Sequence, residues 1–239
     1  MENANFEFDI HKFMAFIDEV IEKVKIMKIT FTGGEPSLES YSLLKAIEYV
    51  KGKCENITIC TNGTLLDGNL PITTEKILNL VDNVSVSRHH WDNQTNNKIL
   101  GLDLDEDIFE NDFIHKVNLS CNLIRGYVDS FEGMRNILEF ANTKGIGEVA
   151  FVKLMEINPY CVENAIRVKV PDHESVLNYR TFSYPIKGIC ECKNYAYCTD
   201  NGNIVKFYIR QNLCPEYNMG SYFIYKNNRV QSWYKEKAK

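Results

Sequence analysis

The chain has 239 residues, 44% of them hydrophobic, with 27 Lys and Arg against 32 Asp and Glu for a net charge of −5. That length suits one sizeable α/β domain or two small ones. The acidic balance argues against a nucleic-acid footprint, and no apolar run approaches the ~20 residues that cross a bilayer, so neither nucleic acid nor membrane is an expected partner.

The amino terminus, MENANFEFD, lacks the basic flank and apolar stretch of a signal peptide, and the sequence reads as cytoplasmic. Apolar residues at Phe13, Met14, Phe16, Ile17, Val20, Ile21 and Val24 have helical spacing and predict a helix over 11–26. A strand over 28–32 follows, and then the turn Thr32-Gly33-Gly34-Glu35-Pro36. Two glycines let the backbone bend sharply and leave room for a ligand beside main-chain groups, while Pro36 suits the first turn of a helix. A bare glycine pair is better explained as a strand-to-helix turn, and only the longer string favours a ligand.

The alternation continues with a helix over 41–50, a strand over 56–61, a helix over 73–80 announced by Pro71, and a strand over 84–88. A short helix over 105–111, a strand over 116–121, a helix over 131–144 closed by Gly145, and a strand over 149–154 complete it. Strand–helix repeats give a parallel sheet, here either an open doubly wound sheet or part of a (β/α) barrel. The strands read as near-continuous apolar runs, which predicts burial on both faces. Polar residues gather at the carboxyl ends of the strands, where such folds bind ligands. After about residue 172 the pattern becomes antiparallel, with hairpins turning at 200–203 and 226–228. The expected organisation is a core over 1–170 and a C-terminal extension over 171–239.

Thr30-Phe31-Thr32-Gly33-Gly34-Glu35-Pro36 after a strand resembles the radical S-adenosylmethionine (radical SAM) family, in which this loop holds the methionyl amino group. Ile59-Cys60-Thr61-Asn62-Gly63 resembles the family's next strand end, and Val84-Ser85-Val86-Ser87-Arg88 the one after it. Val117-Asn118-Leu119-Ser120 with Ile124-Arg125-Gly126, and Phe151-Val152-Lys153-Leu154-Met155, are similar to segments of its molybdenum-cofactor GTP cyclase branch. The resemblance implies an α/β fold, a partial (β/α) barrel with its first strand missing. It implies SAM as cofactor and Gly33, Gly34, Glu35, Pro36, Thr61, Asn62, Ser87 and Arg88 as its binding residues. Glu35 or glycine-turn carbonyls would accept from the ammonium, Arg88 would pair with the carboxylate, and Ser87 and Asn62 would reach hydroxyls. A surface salt bridge explains Arg88 equally well, and a plain turn explains Asn62-Gly63.

The family holds a [4Fe–4S] cluster with a CxxxCxxC loop ahead of the glycine turn, and no cysteine precedes Gly33. The resemblance therefore implies either a truncated form of a longer enzyme or a degenerate barrel acting as a non-catalytic binding partner. The full-length parent would act on a small-molecule or peptide substrate with a reductant such as flavodoxin or ferredoxin. Eight cysteines here point away from a disulfide framework. Four of them, Cys190, Cys192, Cys198 and Cys214, are spaced to make a zinc or auxiliary iron–sulfur site, or are unligated thiols. His89 and His90, adjacent in an extended segment, face opposite ways and do not chelate together.

Overall fold

A computed structural model describes residues 8–67, 73–154, 157–170, 176–179, 194–210 and 223–232. Helix α1 (Ile10–Ile21) is capped by the Asp9 carboxylate, which accepts from His11 N and Lys12 N, and it buries Phe13, Ile17 and Val20. It stops five residues before the end of the predicted helix because pairing with the next strand begins at Ile26. The apolar period carried on through Val24 and Ile26, but those residues belong to the turn and to strand β1 (Ile26–Phe31).

The core then runs α2 (Ser40–Val50), β2 (Cys54–Thr61), α3 (Thr73–Leu80), β3 (Asn83–Ser87), α4 (Asn93–Leu100), β4 (Val117–Leu123), α5 (Phe131–Thr143), β5 (Glu148–Lys153) and α6 (Pro159–Asn164). Strands β6 (Val176–Tyr179), β7 (Asn194–Cys198) and β8 (Ile204–Arg210) follow, with a separate hairpin of β9 (Phe223–Lys226) and β10 (Arg229–Ser232). Two helices were not expected. The Asn-rich α4 has poor intrinsic propensity, but Asp92 caps it through Thr95 N and Gly101 closes it in the left-handed region. Asn158 and Pro159 start α6 in the same manner. The predicted helix over 105–111 is only a 3₁₀ turn, Glu106–Phe109.

The large sheet has the order β1-β2-β3-β4-β5-β8-β7-β6. Neighbours from β1 to β5, and β5 with β8, are parallel, while β8–β7 and β7–β6 are antiparallel. This order decides between the two expected architectures. A doubly wound sheet reverses its strand order partway, whereas an unbroken 1-2-3-4-5 order with right-handed crossovers puts the helices on one face. The sheet is therefore a partial (β/α) barrel. The hydrogen bonding runs on across residue 171, since β8 extends the sheet begun by β1–β5.

Burial on both faces does not hold. Strand β3 alternates half-buried and buried residues, and β4 does so over all seven positions. Ile57, Ile59, Val84, Val86, Leu119, Cys121, Val149 and Phe151 form one core with Ile47 and Val50 of α2, Ile77 of α3 and Met134 and Ile137 of α5. The opposite, concave face carries Asn, Ser and Thr. The β9–β10 hairpin turns at Asn227 and Asn228, both at positive φ as its tight turn requires. It lays the Tyr225 ring on Phe16 of α1, with ring centroids 5.2 Å apart.

Candidate functional site

The carboxyl ends of β1, β2, β3 and β4 meet at one rim of the half-barrel. At the end of β1 the chain turns through Gly33, with φ of +149°, and Gly34. A Cβ built on Gly34 meets nothing within 4 Å, so the turn opens onto free space. Among the described residues the carbonyls of Gly33 and Gly34 accept no hydrogen bond. This is the arrangement in which backbone acceptors remain available to a ligand cation.

Glu35 looks inward. Its Oε1 accepts from Ser37 N at 3.1 Å and from the Thr61 hydroxyl at 3.0 Å, and its Oε2 accepts from Asn62 N at 2.7 Å. Thr61, buried on the helix side of β2, in turn accepts from Gly63 N. Pro36 opens the 3₁₀ turn Pro36–Glu39, and Ser37 Oγ lies 3.0 Å from Thr64 Oγ1 as a second tie. Glu35, Pro36, Thr61 and Asn62 thus form a clamp joining the two loops. The Asn62 Oδ1 accepts from Thr64 N and Thr64 Oγ1, closing the turn after β2. Gly63 sits at φ +113°, and a Cβ there would come within 3.2 Å of Ile108 and Leu104.

Ser87 and Arg88 part company at the end of β3, because successive strand residues face opposite sides. Ser87 stays on the concave side, level with Ser120 of β4. Arg88 turns to the helix side and is 3% exposed. Its guanidinium donates to the carbonyls of His90 and Trp91, to Asn93 Oδ1 and to Glu106 Oε1, at 2.8–3.1 Å. It lies 4.2 Å from the centroid of the Phe140 ring. Burial lowers its pKa and Glu106 counteracts that. Arg88 fastens α4 and α5 to the sheet rather than reaching the rim.

Sequence reading weighed His89 as a metal ligand and gave it no place among the SAM-binding residues. Its Nδ1 accepts from Asn122 N at 3.1 Å, replacing the next rung between β3 and β4. That bond fixes the neutral tautomer with its proton on Nε2. Burial pushes the imidazole pKa down to about 4. The available signal was a polar strand end carrying one histidine on the concave side. His90 stacks on Trp91, so that tryptophan is engaged in packing.

Of the four late cysteines, Cys190, Cys192 and Cys214 lie outside the described residues, and Cys198 is exposed at the end of β7. Among the described residues no cluster of three or more His, Cys, Asp or Glu is placed to hold a metal ion. No helix among them is long and apolar enough to cross a membrane.

A family model described as a 4Fe-4S single cluster domain matches residues 3–103. No curated protein has a matching sequence. Among solved structures, the chain is similar to Streptococcus suis SuiB bound to precursor peptide SuiA, with 13% identity, a TM-score of 0.51, and coverage of 68% of this chain and 36% of that one. It is likewise similar to Streptococcus suis SuiB alone, with 15% identity, a TM-score of 0.53, and coverage of 68% and 37%. Over the matched part the chain shares the fold of these structures. The alignments span little more than a third of the length of those structures.

The cluster named in that family model can be tested against the thiols of the half-barrel. Residues 3–103 contain two cysteines, Cys54 and Cys60. They stand six residues apart on β2, about 20 Å at strand rise, too far to share one cluster. Desolvation raises both thiol pKa values, which disfavours the ligating thiolate. The described residues therefore do not fit a [4Fe–4S] cluster.

Proposed function

We propose that this radical SAM-like half-barrel binds S-adenosylmethionine at the rim formed by β1, β2 and β3. The observation that carries the reading is the glycine turn, open to solvent at Gly34, with the carbonyls of Gly33 and Gly34 unused among the described residues. The methionyl ammonium would donate to those carbonyls, with Glu35 holding the turn in place from behind. Ser87, on the concave side, would meet a ribose hydroxyl. The carboxylate would need another partner, because the Arg88 donors are directed at His90, Trp91, Asn93 and Glu106.

In a longer protein supplying the missing thiolates, this rim would serve a radical SAM enzyme acting on a small molecule or peptide, with flavodoxin or ferredoxin as reductant. A second reading is a barrel that binds without catalysing, and the separation of Cys54 from Cys60 favours it. Calorimetric titration of the chain with SAM tests the shared claim. We expect a Kd on the order of 1 mM, about 4 kcal/mol of binding. Gly34→Val fits the fold without a clash and should remove the binding while leaving the melting temperature unchanged. Equal affinity in parent and variant would reduce the loop to a plain turn.

A further inference from the structure

We propose that His89 and Asn122 form a recognition pair for an uncharged amide at the carboxyl ends of β3 and β4. The His89 Nε2–H donates to the ligand carbonyl, and the Asn122 carboxamide oxygen accepts from the ligand N–H beside it. Two hydrogen bonds hold the histidine in place. Its backbone N–H donates to Oδ1 of the buried Asn96 in α4 at 2.8 Å. Its Nδ1 accepts from Asn122 N at 3.1 Å, which leaves the ring proton on Nε2. The residue is thus fixed to both α4 and β4, and it is 9% exposed.

The Nε2 atom has no hydrogen-bond partner among the described residues, yet it is not one of their polar atoms sealed from solvent without a partner. It therefore opens outward from a nearly buried ring. Strand alternation assigns the face. Arg88 turns to the helix side, so Ser87 and His89, to either side of it, belong to the concave one. A donor already locked in position loses little conformational freedom when a ligand pairs with it.

The surroundings select a neutral acceptor. On β4, buried Val117, Leu119, Cys121 and Leu123 alternate with half-buried Asn118, Ser120 and Asn122, and Ser87 is level with Ser120. The side chains of Ser87, Ser120 and Asn122 make no hydrogen bond among the described residues, and none is charged. The strand cations of the concave face, Lys28, Lys206 and Arg210, stand on β1 and β8, and the Arg88 donors are engaged on the helix side. Burial lowers the His89 pKa with no charged neighbour contributing, so the ring donates as a neutral imidazole. A carboxylate or phosphate at this place would lose water without gaining a countercharge. A carbonyl oxygen escapes that penalty. Primary carboxamides and nucleobase lactams carry C=O and N–H side by side on one edge, which suits a fixed N–H donor next to a carboxamide acceptor. The proposal goes beyond SAM binding and does not rest on it.

The test is titration of the full chain, labelled with 15N-histidine and free of SAM, with three probes: N-acetylglutamine methylamide, uridine and acetate. The His89 ring signal is identified by its loss in His89→Gln, or, should that variant fail to fold, as an imidazole with a pKa of about 4. A saturable shift of Nε2 is expected with at least one of the first two probes. A response to the glutamine derivative alone identifies a carboxamide ligand, to uridine alone a lactam, and to both the shared edge. Asn122→Ala keeps the backbone N–H that holds Nδ1 and should weaken the binding about tenfold, the loss of one hydrogen bond. A failure of SAM to bind leaves these outcomes standing. No saturable shift with either neutral probe overturns the proposal. So does acetate binding as tightly as they do, or affinity unchanged in Asn122→Ala.

Discussion

Glu35→Ala tests whether the acidic residue of the glycine turn is a clamp or a ligand group. The carboxylate receives Ser37 N, the Thr61 hydroxyl and Asn62 N at 2.7–3.1 Å. Bonds to a charged acceptor contribute roughly 1.5–3 kcal/mol each when buried, and less where water can replace the partner. Ser37 and Thr61 are buried, so water replaces those partners poorly, and the short Asn62 bond adds to the loss. We expect a destabilisation of about 2–3 kcal/mol in urea unfolding, or roughly 5–10 °C in melting temperature for a chain of this size. Thr61→Val removes the same contact from the other loop, and a double-mutant cycle should show a coupling of about 1 kcal/mol or more. A Glu35→Ala chain within about 0.5 kcal/mol of the parent that also loses SAM binding would refute the clamp and return Glu35 to the ligand.

His89 provides a pH test. Its folded pKa of about 4 lies below the ordinary 6.5, so the unfolded chain takes up a proton first as pH falls. The His89 contribution is intact above pH 6.5 and is lost as pH drops toward 4, amounting to about 3 kcal/mol across that window. Urea titrations at pH 7 and pH 4.5 should show this drop, and His89→Gln should flatten it; an equal drop in the variant would exonerate the histidine. Tyr225 stacks on Phe16 while its hydroxyl is buried without a partner among the described residues, and burial raises its pKa. Tyr225→Phe should therefore stabilise the chain by about 1 kcal/mol, and a loss of that size in thermal melts would reveal a hydrogen bond at that oxygen.

Much of the frame was legible because it rests on local signals. Periodicity located β1 to β5 and the helices α2, α3 and α5 to within a few residues, and turn chemistry located the hairpin at Asn227 and Asn228. Two helices escaped for an equally local reason. An Asn-rich segment scores poorly as helix, and α4 exists because Asp92 and Gly101 cap it and Arg88 holds Asn93. The end of α1 was misplaced because an apolar residue at 26 satisfies a helix and a strand alike, and only pairing with Cys54 selects the strand. Whether the sheet closes toward a barrel was not legible from spacing, since strand order is a property of the assembled sheet.

The site divided along a rule that was already available. Alternation in a strand sends Ser87 and Arg88 to opposite faces, so both could not line one ligand. Thr61 and Cys60 divide the same way, with Thr61 buried against the helices and Cys60 on the concave side. What alternation alone withholds is which face is which. That depends on Phe140, Glu106 and α4 arriving from up to 52 residues away to enclose the Arg88 guanidinium. Once that charge is buried on the helix side, the cations left on the concave side belong to β1 and β8. Neither strand carried a recognisable motif at those positions, because which residues share the concave face is fixed by register between strands far apart in the sequence.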